Sequence, residues 1–374
     1  MKFGVGVLGA TGYIGTPYRQ EIREASGDSR IVAVCGRRLD LLQAAGIEDG
    51  ADLVTTRWRD VVEHPEVNLV VICTPDALHY EEVMACVEQR KHVVCEKPIG
   101  MNLAQASAMW SAVREAGVGH FVPFWTRYVP VCIRARQLVK AGRLGELRSI
   151  VCRWHNPRPP SMPLTWRDNA ELSSAGSIAD VGSHVYDTLR WITGQEATRA
   201  LAMANVLAPP KPDLGAVNLA EAIDWAKNHT GEQATVSRKG TAYDYASIAF
   251  ELESGILGTM ILSHAPGMRK GMAPEIELHG TEASLAVHRM SSTITIADHD
   301  RDPQVFEKVD DPGPGNRFLQ HVFPAIRARM AGEPTEHPGI DDGYQVQRFT
   351  DAAAASAREG RWINLSDVDP VGSR

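Results

Sequence analysis

The chain has 374 residues, with 39 Lys+Arg against 46 Asp+Glu and a formal net charge of −7. At roughly 150 residues per domain this length suggests two domains or one large composite one, and 44% hydrophobic with 23% charged residues argues against intrinsic disorder. A mildly acidic chain without a long Lys/Arg run lacks the clustered basic surface that nucleic-acid binding needs, and no apolar run approaches the roughly 20 residues of a membrane helix.

Up to about residue 120 the sequence alternates between two periods. Short apolar runs predict strands at Phe3–Leu8, Ile31–Cys35, Leu69–Cys73 and His92–Cys95. Helical spacing lies between them at Thr16–Ala25, Leu39–Ala45 and Tyr80–Arg90, and after them at Leu103–Ala116. Continuous apolar strands separated by helices predict a parallel sheet covered on both faces. With right-handed crossovers this is a doubly wound α/β Rossmann domain, placed at residues 1–122.

The pattern then changes, and residues 123–374 read as an α+β domain. Glu146–Trp154 alternates as a strand, a Pro-rich stretch follows (Pro157, Pro159, Pro160, Pro163), and Ser177–Ile192 reads as a helix. Ala208–Gln233 has mixed polarity and a helical run at Ala220–Lys227, which predicts a loop excursion or lid. Strands are predicted at Tyr245–Leu252, Gly255–Ser263, Glu275–Leu278, Ser284–His288 and Thr293–Ile296, the first two joined by a turn at Glu253–Gly255. A large, mostly antiparallel sheet with helices on one side leaves its other face open. That face is a natural surface for a homodimer or homotetramer.

The six cysteines (Cys35, Cys73, Cys86, Cys95, Cys132 and Cys152) include no C-x-x-C pair and show no zinc spacing, so no metal site is expected. Buried thiols in a reducing cytoplasm are the expectation. Lys2 before Val5, Val7 and Leu8 superficially resembles a signal peptide. Its five glycines (Gly4, Gly6, Gly9, Gly12, Gly15) and the lack of a long apolar core speak against that.

Gly9-Ala-Thr11-Gly12-Tyr13-Ile14-Gly15 follows the first strand and opens the first helix. A glycine-rich turn lets backbone approach a pyrophosphate, and the helix N-terminus offers unpaired N–H groups and a positive dipole end. Gly9, Thr11, Gly12, Tyr13, Ile14 and Gly15 are therefore expected to bind a dinucleotide. The second strand ends at Cys35-Gly36-Arg37-Arg38, without the acidic residue that accepts from the ribose 2′-OH of NAD. Arg37 and Arg38 suit a 2′-phosphate instead, which favours NADP over NAD.

Three further segments carry a pattern: Ile72-Cys-Thr74-Pro75-Asp-Ala-Leu-His79, then Lys91-His-Val-Val-Cys-Glu96-Lys97-Pro98, then Gly176-Ser-Ile-Ala-Asp180-Val-Gly182-Ser-His184-Val-Tyr-Asp187. In this order and at these separations the chain resembles the glucose–fructose oxidoreductase / inositol dehydrogenase / MocA family of dehydrogenases, over nearly its whole length. Phe124-Trp-Thr-Arg127-Tyr128-Val-Pro130, Gly142-Arg-Leu-Gly145-Glu-Leu147, Trp166-Arg167 and the tail Ala355–Gly360 also fall where the family has similar segments. The phosphate loop departs by one residue, as G-x-x-G-x-x-G. That form resembles semialdehyde-dehydrogenase-like enzymes, which also need a catalytic cysteine. Cys152 sits in a strand-like run with no nucleophile-type turn.

The resemblance implies Lys97, Asp180 and His184 as the catalytic set. The chemistry is consistent with it. Oxidising a secondary alcohol needs a base near neutral pKa, a charge that steadies the developing alkoxide, and close placement over the nicotinamide. His184 suits the base, and Asp180, four residues earlier, shares its helix face. Spacing alone fits an i,i+4 surface contact as well; only the joint occurrence of the motifs favours catalysis. Thr74, Pro75, His79, Glu96 and Lys97 are expected along the cofactor groove at strand C-terminal ends. Lys97, Arg127, Tyr128, Trp166, Arg167, Asp180 and His184 are the expected substrate residues. The implied activity is hydride transfer between NADP and a sugar, cyclitol or related polyol or keto-sugar. Two alternatives share the fold: a non-catalytic NADP-binding sensor, and a redox-assisted glycosidase or lyase.

Overall fold

The computed structural model describes residues 2–229 and 236–368. These form two compact units: the first holds the described residues of 1–123, 215–228 and 315–344, the second those of 124–214, 229–314 and 345–374. Residues 230–233 of the expected excursion lie outside the described residues.

In the first unit, strands β1 (Phe3–Leu8), β2 (Ser29–Cys35), β3 (Leu53–Thr55), β4 (Leu69–Ile72), β5 (His92–Cys95) and β6 (His120–Phe121) pair in parallel in the order β3-β2-β1-β4-β5-β6. Helices α1 (Gly15–Glu24), α2 (Leu39–Asp49), α3 (Trp58–Glu63), α4 (Asp76–Glu88) and α5 (Leu103–Ala116) connect them. Every residue of β1 and β4 is buried, as expected for strands covered on both faces. This order is doubly wound and reverses between β1 and β4, and ligands bind outside the strand C-termini at such a switch point.

The second unit contains α6 (Pro130–Lys140), α7 (Ser177–Thr193) and a nine-stranded, mostly antiparallel sheet. Its strands are β7 (Leu147–His155), β8 (Ala197–Asn205), β11 (Tyr245–Leu252), β12 (Leu257–Ser263), β13 (Ile276–Gly280), β14 (Ala283–His288), β15 (Thr293–Asp298), β16 (Gln304–Lys308) and β17 (Ile363–Asn364), with the short pair β9 (Lys211–Pro212) and β10 (Ser237–Arg238) apart from it. One row of partners crosses the sheet as Ala202, Ile248, Met260, Cys152, Ile276, Val287 and Ile294, all buried. The opposite face carries Met203, Ser247, Ile261 and Arg153 in register, with Met203 72% exposed. Period-two alternation thus divides the sheet into a packed face and an open one.

The predicted excursion forms helix α8 (Leu219–Asn228), and it belongs to the first unit. So does helix α9 (Phe323–Met330), with the π-helical turn Phe318–Val322 before it. Phe323 stacks on Phe3 at 4.9 Å between ring centroids, Phe318 meets Tyr18 edge-on at 5.3 Å, and Arg317 donates from Nε to Glu21 of α1 at 2.8 Å. The last long helix, α10 (Ile340–Glu359), supplies Phe349, which stacks on Tyr186 of α7 at 4.0 Å. All six cysteines are free thiols. Among the described residues no helix is long and apolar enough to cross a membrane.

Candidate active site

The turn after β1 is held against the turn after β4. Gly9 has φ +73°, and a Cβ there would lie 2.5 Å from the Cys73 carbonyl oxygen, so only glycine fits. The Gly12 N–H donates to the Gly9 carbonyl at 2.9 Å, and α1 begins at Gly15 with no acidic residue in its first turn. Backbone N–H groups and a helix dipole unopposed by carboxylates fit the diphosphate of a dinucleotide. Thr11, Tyr13 and Ile14 lie in the same turn, and Tyr13 is 46% exposed. The turn after β2 brings Arg37 and Arg38 beside it, because a side chain on Gly36 would start 3.4 Å from the Thr11 hydroxyl. Arg38 forms an ion pair with Glu221 of α8.

Glu96 and Lys97 follow β5. The buried Tyr18 hydroxyl of α1 donates to Glu96 Oε1 at 2.6 Å, and the Lys97 N–H faces Glu96 Oε2 at 3.2 Å. Glu96 therefore ties the first helix to the lysine turn. The Lys97–Pro98 peptide bond is cis. His79, 1% exposed on α4, links two turns: Nδ1 lies 2.8 Å from the Pro98 carbonyl oxygen and Nε2 lies 2.9 Å from that of Thr74. The Thr74 hydroxyl donates to Glu82 at 2.5 Å. Burial pushes the Glu82 carboxyl up to about 8, so it holds its proton at neutral pH.

In the second unit, helix α7 presents Asp180 and His184 one turn apart. It lies close on the sheet, since a Cβ on Gly182 would come within 2.7 Å of Leu262 Cδ1. The glycine between the two polar residues thus lets the helix sit close against Leu262. The His184 ring meets Phe124 edge-on at 6.4 Å. Asp180 Oδ2 lies 2.9 Å from His264 Nε2, 3.3 Å from Arg158 Nη2 and 4.0 Å from Arg167 Nε. Arg158 also lies 3.8 Å from Asp168, which accepts from Lys211 Nζ at 2.8 Å. Burial pushes Asp168 up, but Arg158 and Lys211 outweigh it and hold the carboxyl below its usual range. Burial and Arg158 hold His264 below the ordinary histidine value despite Asp180, so its ring is neutral at neutral pH.

The structure brings Arg167 and Asp180 together, with Trp166 beneath the Arg167 guanidinium at 4.3 Å. The pair is held by a turn capped reciprocally by Thr165 and Asp168. Arg127 is directed elsewhere: it is 5% exposed and grips Asp187 through two bonds of 2.7 and 2.5 Å. Tyr128 packs at 5.9 Å from Trp125. Arg158 and His264 were not expected from the sequence. The Arg158 N–H donates to the His264 carbonyl at 3.0 Å, so both reach Asp180 through a tertiary backbone pairing with no local signature. The one available signal was a charged residue inside the Pro-rich stretch.

Residues 3–124 match the family model described as "Oxidoreductase family, NAD-binding Rossmann fold", and residues 132–286 match the one described as "GFO/IDH/MocA C-terminal domain". The chain is 25% identical to a levoglucosan dehydrogenase of Pseudarthrobacter phenanthrenivorans, over 94% of its own length and 90% of that protein's. It is 24% identical to a myo-inositol 2-dehydrogenase of Thermotoga maritima, over 97% and 99% respectively. A solved levoglucosan dehydrogenase in complex with NADH shares the fold, with a TM-score of 0.79 at 21% identity over 98% of this chain and 99% of that one.

Proposed function

Because this chain belongs to the GFO/IDH/MocA family of NAD(P)-dependent oxidoreductases, we propose that it moves a hydride between nicotinamide, NADP in preference to NAD, and a secondary alcohol or ketone of a sugar, cyclitol or related polyol. The observation that carries the reading is Asp180, fixed by His264 and Arg158 one helical turn from His184. Similarity to levoglucosan and inositol dehydrogenases supports the substrate class. Arg37 and Arg38 support the 2′-phosphate.

Bound nicotinamide supplies the hydride acceptor or donor. The glycine turn from Gly9 and the start of α1 would hold the diphosphate through backbone N–H groups, with Gly12 closing the turn on Gly9, and Thr74, Pro75 and His79 would shape the next turn along. His184 takes the hydroxyl proton as hydride leaves the same carbon, and returns it in the reverse direction. The Lys97 ammonium steadies the developing alkoxide. Asp180 accepts from a substrate hydroxyl, while Trp166 and Arg167 bound the sugar ring. Arg127 and Tyr128 act at one remove, Arg127 through its pair with Asp187. The open face of the large sheet, with exposed Met203, supports a homodimer or homotetramer, and six free thiols support a cytoplasmic setting.

The test is a polyol and keto-sugar panel read at the nicotinamide absorbance. His184→Ala and Lys97→Ala are expected to lower kcat by about a hundredfold or more, with cofactor binding largely kept in His184→Ala. A wild-type rate in His184→Ala would overturn the mechanism. No turnover on any member, with cofactor-dependent partner binding, would indicate a sensor. Bond cleavage without net reduction of added cofactor would indicate a redox-assisted glycosidase or lyase.

A further inference from the structure

The acid missing after β2 is delivered from elsewhere in the chain. Arg38 stands at the N-terminus of α2, where a Rossmann fold meets the adenosine ribose. Its guanidinium is paired by Glu221, 183 residues downstream on α8. The remaining Glu221 oxygen is engaged as well: Oε2 accepts from the Asn218 N–H at 2.8 Å while Asn218 Oδ1 accepts from the Glu221 N–H at 3.0 Å. This reciprocal cap fixes the carboxylate in place. The same asparagine reaches the phosphate turn, its Nδ2 lying 3.5 Å from the Thr11 carbonyl oxygen. The start of α8 is thereby anchored over two cofactor-binding turns within the first unit. Among the described residues no acid pairs with Arg37.

We propose that Glu221 is a cofactor-specificity residue, whose carboxylate competes with a 2′-phosphate for Arg38 and holds down the enzyme's preference for NADP over NAD. A carboxylate on a guanidinium occupies the N–H donors that a phosphate would use, and its charge repels a dianion. NAD carries a hydroxyl at that position. It has no charge to be repelled, and the carboxylate can accept from it. The inference rests on the reading of Arg38 as a 2′-phosphate contact.

The test compares NADP and NAD affinity by calorimetry on the full chain for the wild type, Glu221→Gln and Arg38→Ala. Glutamine retains the reciprocal cap and removes only the charge. The Glu221→Gln variant is expected to bind NADP about fivefold or more tighter, with NAD changed by less than about twofold. The gain should shrink as salt rises, since the competing charges are partly exposed. Arg38→Ala is expected to weaken NADP selectively. An unchanged or lowered NADP-to-NAD ratio in Glu221→Gln, with Arg38→Ala still selective against NADP, would overturn the role of Glu221 alone. A wild-type ratio in Arg38→Ala would overturn both the Arg38 reading and the inference built on it.

Discussion

Asp180 Oδ2 lies 2.9 Å from His264 Nε2, one residue on α7 and the other just past the end of β12. The histidine is 5% exposed, and burial and Arg158 hold it below the ordinary histidine value, so what it offers Asp180 is a close polar contact rather than a full positive charge. His264→Ala is expected to lower kcat by about tenfold to a hundredfold while leaving cofactor affinity within about twofold. His264→Asn, which keeps a polar side chain at the contact, should recover part of the loss. Steady-state kinetics beside a cofactor fluorescence titration checks this; an unchanged kcat in His264→Ala would remove the positioning role.

Arg127 and Asp187 form a two-bond ion pair with side chains 6% and 0% exposed. Removing one partner strands the other charge. Asp187→Ala is therefore expected to destabilise the second unit by about 3–5 kcal/mol. Replacing both, as Arg127→Met with Asp187→Leu, should restore most of that. Urea midpoints of the three proteins decide it, and equal midpoints for the single and double variants would contradict the argument.

Glu82 gives a pH dependence with a definite sign. Burial raises its carboxyl from 4.5 unfolded to about 8 folded. Between those values the folded state holds a proton that the unfolded state has released. Its contribution to stability is therefore largest below pH 4.5, falls as pH rises through the window, and is lost above about 8. Glu82→Gln should flatten the slope and be more stable than the wild type at alkaline pH, by on the order of 5 kcal/mol. Unfolding curves between pH 5 and 9 are the measurement; parallel slopes in the two proteins would refute it.

Gly182→Ala places a methyl group against Leu262, which is fully buried and has little room to yield. The expected loss is about 1–3 kcal/mol, with a lower kcat because α7 carries Asp180 and His184. Leu262→Val in the same chain should recover stability. Thermal midpoints of the single and double variants test the pairing.

The strands legible in the sequence were those built from β-branched or large apolar runs, such as Ile31-Val-Ala-Val-Cys35. Strand β8, Ala197–Asn205, was not among them: its buried positions Ala200 and Ala202 are small and helix-prone, and the neighbouring strands impose its conformation. Two- and three-residue strands such as β6 and β3 are too short to show a period. Of the proposed site residues, Lys97, Asp180 and His184 could be picked out because each lies in a contiguous motif. Arg158, His264 and Glu221 were not, because each reaches its partner only after distant segments pack. The helical run inside Ala208–Gln233 was visible, but its attachment to Thr11 and Arg38 required the fold.

The cofactor-binding unit opens with Phe3 and Tyr18, and their ring partners Phe323 and Phe318 come near the other end of the chain. During synthesis the first sheet can pair long before those rings leave the ribosome. For that interval two aromatic faces of a nearly finished domain stay uncovered, a surface of the kind that chaperones and proteases engage. A nascent chain halted before residue 318 would remain in that condition. The unit that begins with β1 is thus completed only once Phe318 and Phe323 have been made.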